Sequence, residues 1–147
     1  MLKQLFKKSP KMISSSQLNG QQLADLQALS ALCRKKDSSV PNTFSHILAR
    51  PRALPAALLL YDKTQLIAFL SAFFFYETAV EVSLLVSPKY RRQGLAKELV
   101  ALIKPLLLTY NFKTLIFSSP ADNNTDWLRA KGYTYMHREY HMQRKDS

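Results

Sequence analysis

The chain has 147 residues, a formal net charge of +11, and hydrophobic residues at 47 % of its positions. This length predicts one domain over residues 1–147, and the composition excludes a disordered chain. The charge favours anionic partners such as a nucleotide, a nucleic acid or an acidic membrane surface. The longest apolar run, residues 66–76, is too short to span a bilayer, and the opening residues lack the apolar stretch of a signal peptide. A single cysteine, Cys33, excludes an internal disulfide, and no Cys/His spacing predicts a metal site. We therefore expect a cytoplasmic protein with neither a membrane nor a metal partner.

The first half of the chain predicts a strand, two helices and then three strands. Asn19 is typical of a helix N-cap, with Gln22 as its capping-box partner, and the helix should end near Lys36. Cys33 lies on the apolar stripe of this helix, which favours a core thiol over a nucleophile. Residues 44–49 predict a second, short helix that ends before a proline. The predicted strands of this half are residues 11–14, 56–61, 65–76 and 80–86.

The second half predicts a long helix from Gly94 to about residue 110, interrupted by Pro105, with Asn111 as a left-handed C-cap. The side chains expected to face inward from this helix are Leu95, Leu99, Leu102, Ile103, Leu106 and Leu107. A strand at 114–118, a helix over 123–131 and a strand region at 134–142 follow. The order of elements predicts a mixed α/β fold, in which the strand after the long helix runs parallel to the strand before it.

The stretch between Val86 and the long helix carries the clearest chemistry. N–H groups in the first turn of a helix can all donate to one anion, and the helix dipole adds attraction. Gly94 has no Cβ and lets a phosphate approach the backbone closely, while Arg91 and Arg92 add charged donors. The stretch predicts a diphosphate site. It is neither a Walker P-loop, since no Gly-Lys-Ser/Thr is present, nor a Gly-x-Gly-x-x-Gly turn, since it has one glycine.

This stretch resembles motif A of the GNAT acetyltransferases. The family has a strand ending in Val-x-Pro and then Arg/Gln-x-x-Gly-x-Gly/Ala, and this chain has Val86-x-Pro88 and then Arg91-x-x-Gly94-x-Ala96. The resemblance implies a central mixed, mostly antiparallel sheet flanked by helices, with acetyl-CoA bound at the strand–turn–helix unit. It also implies that backbone N–H groups of the loop and helix hold the CoA pyrophosphate, and that the end of the preceding strand pairs with the pantetheine arm.

The resemblance implies three sets of contacts with the cofactor. The backbone of Leu85 and Val86 would pair with pantetheine like an added strand. An asparagine often precedes the family's last helix, and Asn123 lies near that place, where a helix cap is the alternative. The predicted contacts to the pyrophosphate are Arg91, Arg92, Gln93, Gly94, Leu95, Ala96 and Lys97.

The catalytic residues are less well defined. Many family members place a tyrosine four residues before the late Gly-aromatic pair as general acid to the departing thiolate, and this chain has Leu128 there. Three alternatives follow: Tyr133 or Tyr135 takes that role, water supplies the proton, or the protein binds acyl-CoA without efficient turnover. Glu81 is the one carboxylate in the central strand and is the predicted base; apolar neighbours would raise its pKa. The alternative for Glu81 is a solvated or hydrogen-bonded strand residue.

Three functions are compatible with these patterns. The first is an N-acetyltransferase that moves an acetyl group from acetyl-CoA to an amine by direct transfer in a ternary complex, since no cysteine is placed to carry the acyl group. The second is a non-catalytic acyl-CoA-binding or protein-interaction module, which Leu128 favours. The third, a nucleic-acid-binding protein, depends on charge alone. The amine acceptor and the oligomeric state are not identified by the sequence.

Overall fold

The computed structural model describes residues 10–112, 114–118, 133–136 and 139–142. Within them the chain forms seven β-strands, three α-helices and a short 3₁₀ turn. The helices are α1 (Gly20–Asp37), α2 (Ser45–Leu48) and α3 (Leu95–Thr109), and the turn is Pro88–Tyr90. The strands are β1 (Lys11–Ser15), β2 (Ala57–Asp62), β3 (Gln65–Phe73), β4 (Ala79–Val86), β5 (Thr114–Ser118), β6 (Tyr133–Met136) and β7 (Glu139–Met142). The predicted helix over 123–131 lies outside the described residues.

All seven strands belong to one sheet, in the order β1-β2-β3-β4-β5-β7-β6. Neighbouring strands are antiparallel except β4 and β5, which are parallel and are joined through α3. A parallel pair needs a crossover connection, and the long helix supplies it. The predicted mixed, mostly antiparallel sheet is therefore confirmed, with β4 at its centre.

The two faces of the sheet are covered by different helices because side chains alternate along each strand. Residues such as Leu70, Val80 and Val82 pack with α3 on one face. Residues such as Phe69 and Phe73 pack with α1 and the short helix on the other. The odd-numbered positions of β4, which include Glu81, therefore share the α1 face.

The sequence signals at helix ends are confirmed. The Asn19 side chain accepts from the Gln22 N–H at 2.8 Å, and the Gln22 side chain accepts from the Asn19 N–H at 2.9 Å, which completes the capping box. At the end of α3, Asn111 has φ 69°. The N–H groups of Asn111 and Phe112 donate to the carbonyls of Leu108 and Leu107, as in a Schellman motif.

Two predictions about the packing need correction. Leu102 is 54 % exposed, and Val100 is buried instead. The buried arc of α3 is centred near Leu99 and Ile103, so Leu102 falls just outside it. The strand predicted over 65–76 ends at Phe73. The chain then leaves the sheet: Phe74 packs against the core, whereas the rings of Phe75 and Tyr76 are exposed.

Candidate functional site

The loop between β4 and α3 forms an open cradle of backbone N–H groups. Gly94 is the N-cap of α3 with φ 81° and has no side-chain capping hydrogen bond; Arg92 also has positive φ, at 64°. The first helical bond runs from the Glu98 N–H to the Gly94 carbonyl at 3.0 Å, so the N–H groups of residues 95–97 have no acceptor within the helix. A Cβ added at Gly94 would meet no atom within 4 Å, which shows open space in front of the loop. The geometry suits an anion.

The Arg91 side chain turns back from the cradle towards α1. Its two terminal nitrogens donate to the two carboxylate oxygens of Asp37 at 2.8 and 2.7 Å, and its Nε donates to the Val86 carbonyl at 3.0 Å. The hydrogen bond to Asp37 is the main cause of the raised pKa of Arg91. Arg91 therefore links the loop to the end of α1 through its hydrogen bonds with Asp37. A direct contact with an anion, as the sequence predicts, would have to use its remaining N–H groups.

Sequence reasoning missed Asp37. This residue is 8 % exposed, and a buried carboxylate is costly without a partner. A signal was available: the buried positions of α1 are Leu26, Leu29, Cys33 and Asp37, so one acidic residue continues the apolar stripe at helical spacing. An acidic residue on such a stripe indicates a cationic partner elsewhere in the fold.

Cys33 lies one turn before Asp37 and is 1 % exposed, which confirms it as a core thiol. Its Sγ donates to the Val86 carbonyl at 3.4 Å, so that carbonyl accepts from both Cys33 and Arg91. Burial is the largest cause of the raised pKa of this thiol. Cys33 is therefore a protonated packing residue that helps hold the end of β4.

The described pairing between the two central strands, β4 and β5, ends before the cradle. The β4–β5 ladder runs from the pair Ala79 and Thr114 to the pair Val82 and Phe117. Pairing of β4 with β3 continues to Val86. Among the residues that the structure describes, no strand pairs with β4 beyond Val82 on the β5 side. This edge is the place where an extended ligand arm can add to the sheet.

The direction of the backbone groups refines which residues can serve that edge. The Ser87 N–H donates to the Ile67 carbonyl, on the β3 side. Because an antiparallel ladder alternates, Leu85 also directs its backbone groups to β3, whereas Leu84 and Val86 direct theirs away from it. The Val86 carbonyl already accepts from Arg91 and Cys33. The Leu84 groups and the Val86 N–H are therefore better placed for a ligand arm than the predicted Leu85.

The remaining residues of the predicted cradle contribute in different ways. The Leu95 side chain is 2 % exposed in the core, so only its backbone can contact a ligand. Arg92 and Lys97 are exposed, and Ala96 is partly buried. The Gln93 Oε1 is buried and has no hydrogen-bond partner among the described residues. The loop therefore offers backbone donors with two exposed cations beside them.

Glu81 is the third of the eight residues of β4 and is partly buried. Its Cα partners are Phe73 on β3 and Ile116 on β5. Two residues further along the same face, the Ser83 hydroxyl donates to the Asn42 carbonyl, so the segment between α1 and α2 crosses this face of the sheet. Glu81 thus lies beside that segment, on the strand that leads to the cradle.

The candidate acids Tyr133 and Tyr135 lie farther along the sheet from β4 than β5 does. Tyr133 and Tyr135 lie on β6, which pairs with β7 and is separated from β4 by β7 and β5. Asn123 and Leu128 lie outside the described residues. The roles predicted for these four residues stay predictions.

Known proteins share both the sequence pattern and the fold. A sequence profile described as "Acetyltransferase (GNAT) family" matches residues 21–133. The chain belongs to the GNAT acetyltransferase family. No curated protein sequence matches this GNAT chain.

Several solved structures have the same fold as this GNAT protein at low sequence identity. PaiA N-acetyltransferase from Thermoplasma acidophilum, in complex with coenzyme A, has a TM-score of 0.68 at 11 % identity, over 93 % of this chain and 100 % of its own. The catalytic domain of Tetrahymena GCN5 histone acetyltransferase, in complex with coenzyme A, has a TM-score of 0.67 at 12 % identity, over 94 % and 95 %. A GNAT acetyltransferase from Brucella melitensis, in complex with acetyl-CoA, has a TM-score of 0.64 at 10 % identity, over 91 % and 87 %.

The described part of this GNAT chain has neither a metal-binding group of side chains nor a membrane-spanning helix. No group of three or more His, Cys, Asp or Glu side chains there is arranged to hold a metal ion. No helix in the same residues is long and apolar enough to cross a membrane.

Proposed function

We propose that this GNAT protein transfers an acetyl group from acetyl-CoA to an amine, directly within a ternary complex. The observation that carries the proposal is the open N-terminus of α3, with Gly94 at φ 81°, at the end of a strand whose described pairing with β5 stops at Val82. Coenzyme A or acetyl-CoA in the structurally similar acetyltransferases supports the same ligand here. We also propose that residues 1–147 form a single domain and that the protein is cytoplasmic.

The cofactor would lie along β4 with its pyrophosphate at the cradle. The backbone N–H groups of residues 93–97 would hold the pyrophosphate, and exposed Arg92 would add a charged donor. The pantetheine arm would run along the free edge at Leu84 and Val86, and Asn123 remains a candidate contact. A strand rises about 3.3 Å per residue, so Glu81 lies about 17 Å back from Val86 along β4. The thioester would therefore be carried from the cradle towards Glu81.

In the reaction, the neutral amine nitrogen attacks the thioester carbonyl carbon, and the C–S bond then breaks. The amine proton would pass to Glu81, directly or through water, and the departing CoA thiolate takes up a proton. Holding both reactants in line supplies much of the rate, and N–H groups aimed at the carbonyl oxygen stabilise the charge that develops there. Cys33 does not carry the acetyl group, because its thiol is buried and donates to the Val86 carbonyl.

The proton source for the thiolate remains open, with Tyr133 and Tyr135 as candidates and Leu128 at the usual tyrosine position. A positioned acid contributes about 10²- to 10⁴-fold, so without one the enzyme would be slow but not inactive. Leu128→Tyr should then raise turnover. A large loss in Tyr133→Phe or Tyr135→Phe, without a gain in Leu128→Tyr, would show that another tyrosine already supplies the proton.

Leu128 also favours a second function, a module that binds acyl-CoA without turnover. One experiment tests both functions: acetyl-CoA is added to the protein, the melting temperature is recorded, and free thiol is followed with a panel of amines. At 100 times the dissociation constant, binding stabilises the fold by about 2.7 kcal/mol, a rise of roughly 5–10 °C. A rise in melting temperature with amine-dependent thiol release supports the transferase. A rise without thiol release supports the module.

The cradle itself is tested by Gly94→Glu, which places a carboxylate in the open space in front of the loop. This variant should lose the acetyl-CoA-induced rise. Gly20→Glu is the matched control, since Gly20 opens α1, far from the cradle, and a Cβ there also meets no atom within 4 Å. Normal binding by Gly94→Glu would contradict the cradle as the pyrophosphate site.

A further inference from the structure

Four aromatic rings gather at the end of β3, beside the segment that connects α1 to α2. The Phe44 ring centroid lies 4.8 Å from that of Phe73 and 5.1 Å from that of Phe75. Phe73 and Phe75 are stacked at 5.8 Å with an interplanar angle of 9°, and Tyr76 meets Phe75 edge-on at 6.5 Å. Offset and edge-to-face contacts of this kind hold rings in fixed orientations. The four rings, called the aromatic wall below, therefore form one ordered surface.

The aromatic wall is buried at one end and open at the other. Phe73 is 1 % exposed, whereas Phe75 is 45 % and Tyr76 is 52 % exposed. Phe73 alone would be an ordinary core residue. Phe75 and Tyr76 differ from it, because they are adjacent exposed rings on which an apolar or aromatic ligand could pack.

The buried end of the wall lies beside Glu81. Phe73 and Glu81 are direct cross-strand partners, so their side chains lie on the same face, about 5 Å apart at Cβ. Phe75 follows two residues later along the chain, and its ring centroid lies 5.8 Å from that of Phe73. The exposed rings therefore lie close to Glu81, the carboxylate proposed to receive the amine proton.

The segment that brings Phe44 to the wall is held in place by specific bonds. Phe44 has φ 51° and ψ 50°, a left-handed conformation that is unfavourable for a bulky side chain. Its N–H donates to the Asn42 side chain at 2.8 Å, and the Asn42 carbonyl accepts from Ser83 on β4. Backbone strain that the surroundings enforce is common at ligand-binding positions.

The charges near the wall restrict the acceptor. The Arg52 guanidinium lies 5.4 Å from the Phe73 ring centroid and donates to the Ser71 hydroxyl and the Ala72 carbonyl. A fixed cation here, in a chain of net charge +11, disfavours a polyamine. A single amine with a flat apolar group fits both the carboxylate and the rings.

We propose that the acceptor is a small primary monoamine whose aromatic ring packs on Phe44, Phe75 and Tyr76 while its nitrogen lies at Glu81. The ring and the amine would be joined by a spacer of about two or three carbons. This inference depends on the acetyltransferase function proposed above, and it adds the substrate class. Stacking on the wall should favour an aryl amine over an alkyl amine of equal spacer by about 10-fold.

The test compares kcat/KM for 2-phenylethylamine, n-propylamine and spermidine at saturating acetyl-CoA. Wild-type protein should prefer 2-phenylethylamine by about 10-fold. Phe75→Ala and Tyr76→Ala should reduce that preference towards unity, because kcat/KM falls more for 2-phenylethylamine than for n-propylamine. Tyr110→Ala is the matched control, because Tyr110 is a 53 % exposed aromatic residue at the end of α3, the helix that covers the opposite face of the sheet from Phe44 and Phe73. Equal rates for the aryl and alkyl amines, or a higher rate for spermidine, would overturn the inference.

A binding measurement separates this inference from the transferase function. Saturation-transfer NMR of 2-phenylethylamine is recorded on the acetyl-CoA complex of the wild type, Phe75→Ala and Tyr110→Ala. Binding that is lost only in Phe75→Ala supports the aromatic wall, even if no amine is acetylated, in which case the transferase proposal alone fails. Absence of binding to the wild-type complex, or equal binding in Phe75→Ala, overturns the wall as an acceptor site.

Discussion

Replacement of Asp37 by alanine should damage both stability and cofactor binding, because Asp37 joins α1 to the loop of the cradle. The variant removes two charge-assisted hydrogen bonds to Arg91, at 2.7 and 2.8 Å. The Asp37 side chain is 9 % exposed and that of Arg91 is 29 % exposed, so water replaces the lost partner only in part. Hydrogen bonds to charged groups contribute about 1.5–3 kcal/mol, and we expect a loss of about 2–3 kcal/mol. For a chain of this length, that corresponds to a decrease in melting temperature of roughly 4–12 °C.

The same variant should weaken acetyl-CoA binding about 10-fold, or about 1.4 kcal/mol, since a loop that must be ordered on binding costs affinity. Calorimetric titration measures the affinity, and thermal unfolding measures the stability. Asp25→Ala is the matched control: Asp25 lies on the same helix and accepts from the Tyr61 hydroxyl at 2.7 Å, away from the loop. It should lose stability without losing affinity. Wild-type or tighter acetyl-CoA binding by Asp37→Ala would refute the fastening role and would favour direct contact between Arg91 and the pyrophosphate.

Three further predictions follow from single positions. Gly94→Ala should lower the free energy of unfolding by about 1–2 kcal/mol, because Gly94 has a left-handed φ of 81°. Gly20→Ala, at the start of a helix, should be neutral or stabilising. Melting curves of the two variants measure the difference, and equal effects would contradict the left-handed conformation of Gly94. Glu81→Gln should reduce the rate of acetyl transfer about 10²- to 10⁴-fold, whereas the rise in melting temperature caused by acetyl-CoA should not change. Unaltered turnover would show that water or another residue is the base. Burial, followed by the hydrogen bond to Asp25, raises the pKa of Tyr61, so its contribution to stability is complete below the unfolded-state pKa of about 10 and is lost as pH rises above it. Denaturant unfolding between pH 8 and about pH 12 should therefore show a smaller alkaline loss in Tyr61→Phe, and parallel pH profiles would show that Tyr61 is not responsible.

Features that depend on neighbouring residues could be predicted from the sequence. The capping box at Asn19, the left-handed Asn111 and the strand at 114–118 all depend on conformations and bonds within a few positions. The position of the cradle was predictable for the same reason, because a strand end, a glycine and a helix start follow one another along the chain. The crossover from β4 to β5 followed from the general rule for parallel strands.

Only the tertiary structure decided which distant groups meet. The sequence predicts that Arg91 donates to a bound anion, but in the structure Arg91 pairs with Asp37, which is 54 positions away. Phe44 and Phe75 come from separate segments and form one surface only when the connection after α1 crosses the sheet. Local conformational propensity acts over a few residues, so its effects can be predicted from the amino-acid sequence alone. A buried carboxylate or an aromatic surface is instead decided by long-range packing, which brings together groups that no spacing along the chain connects.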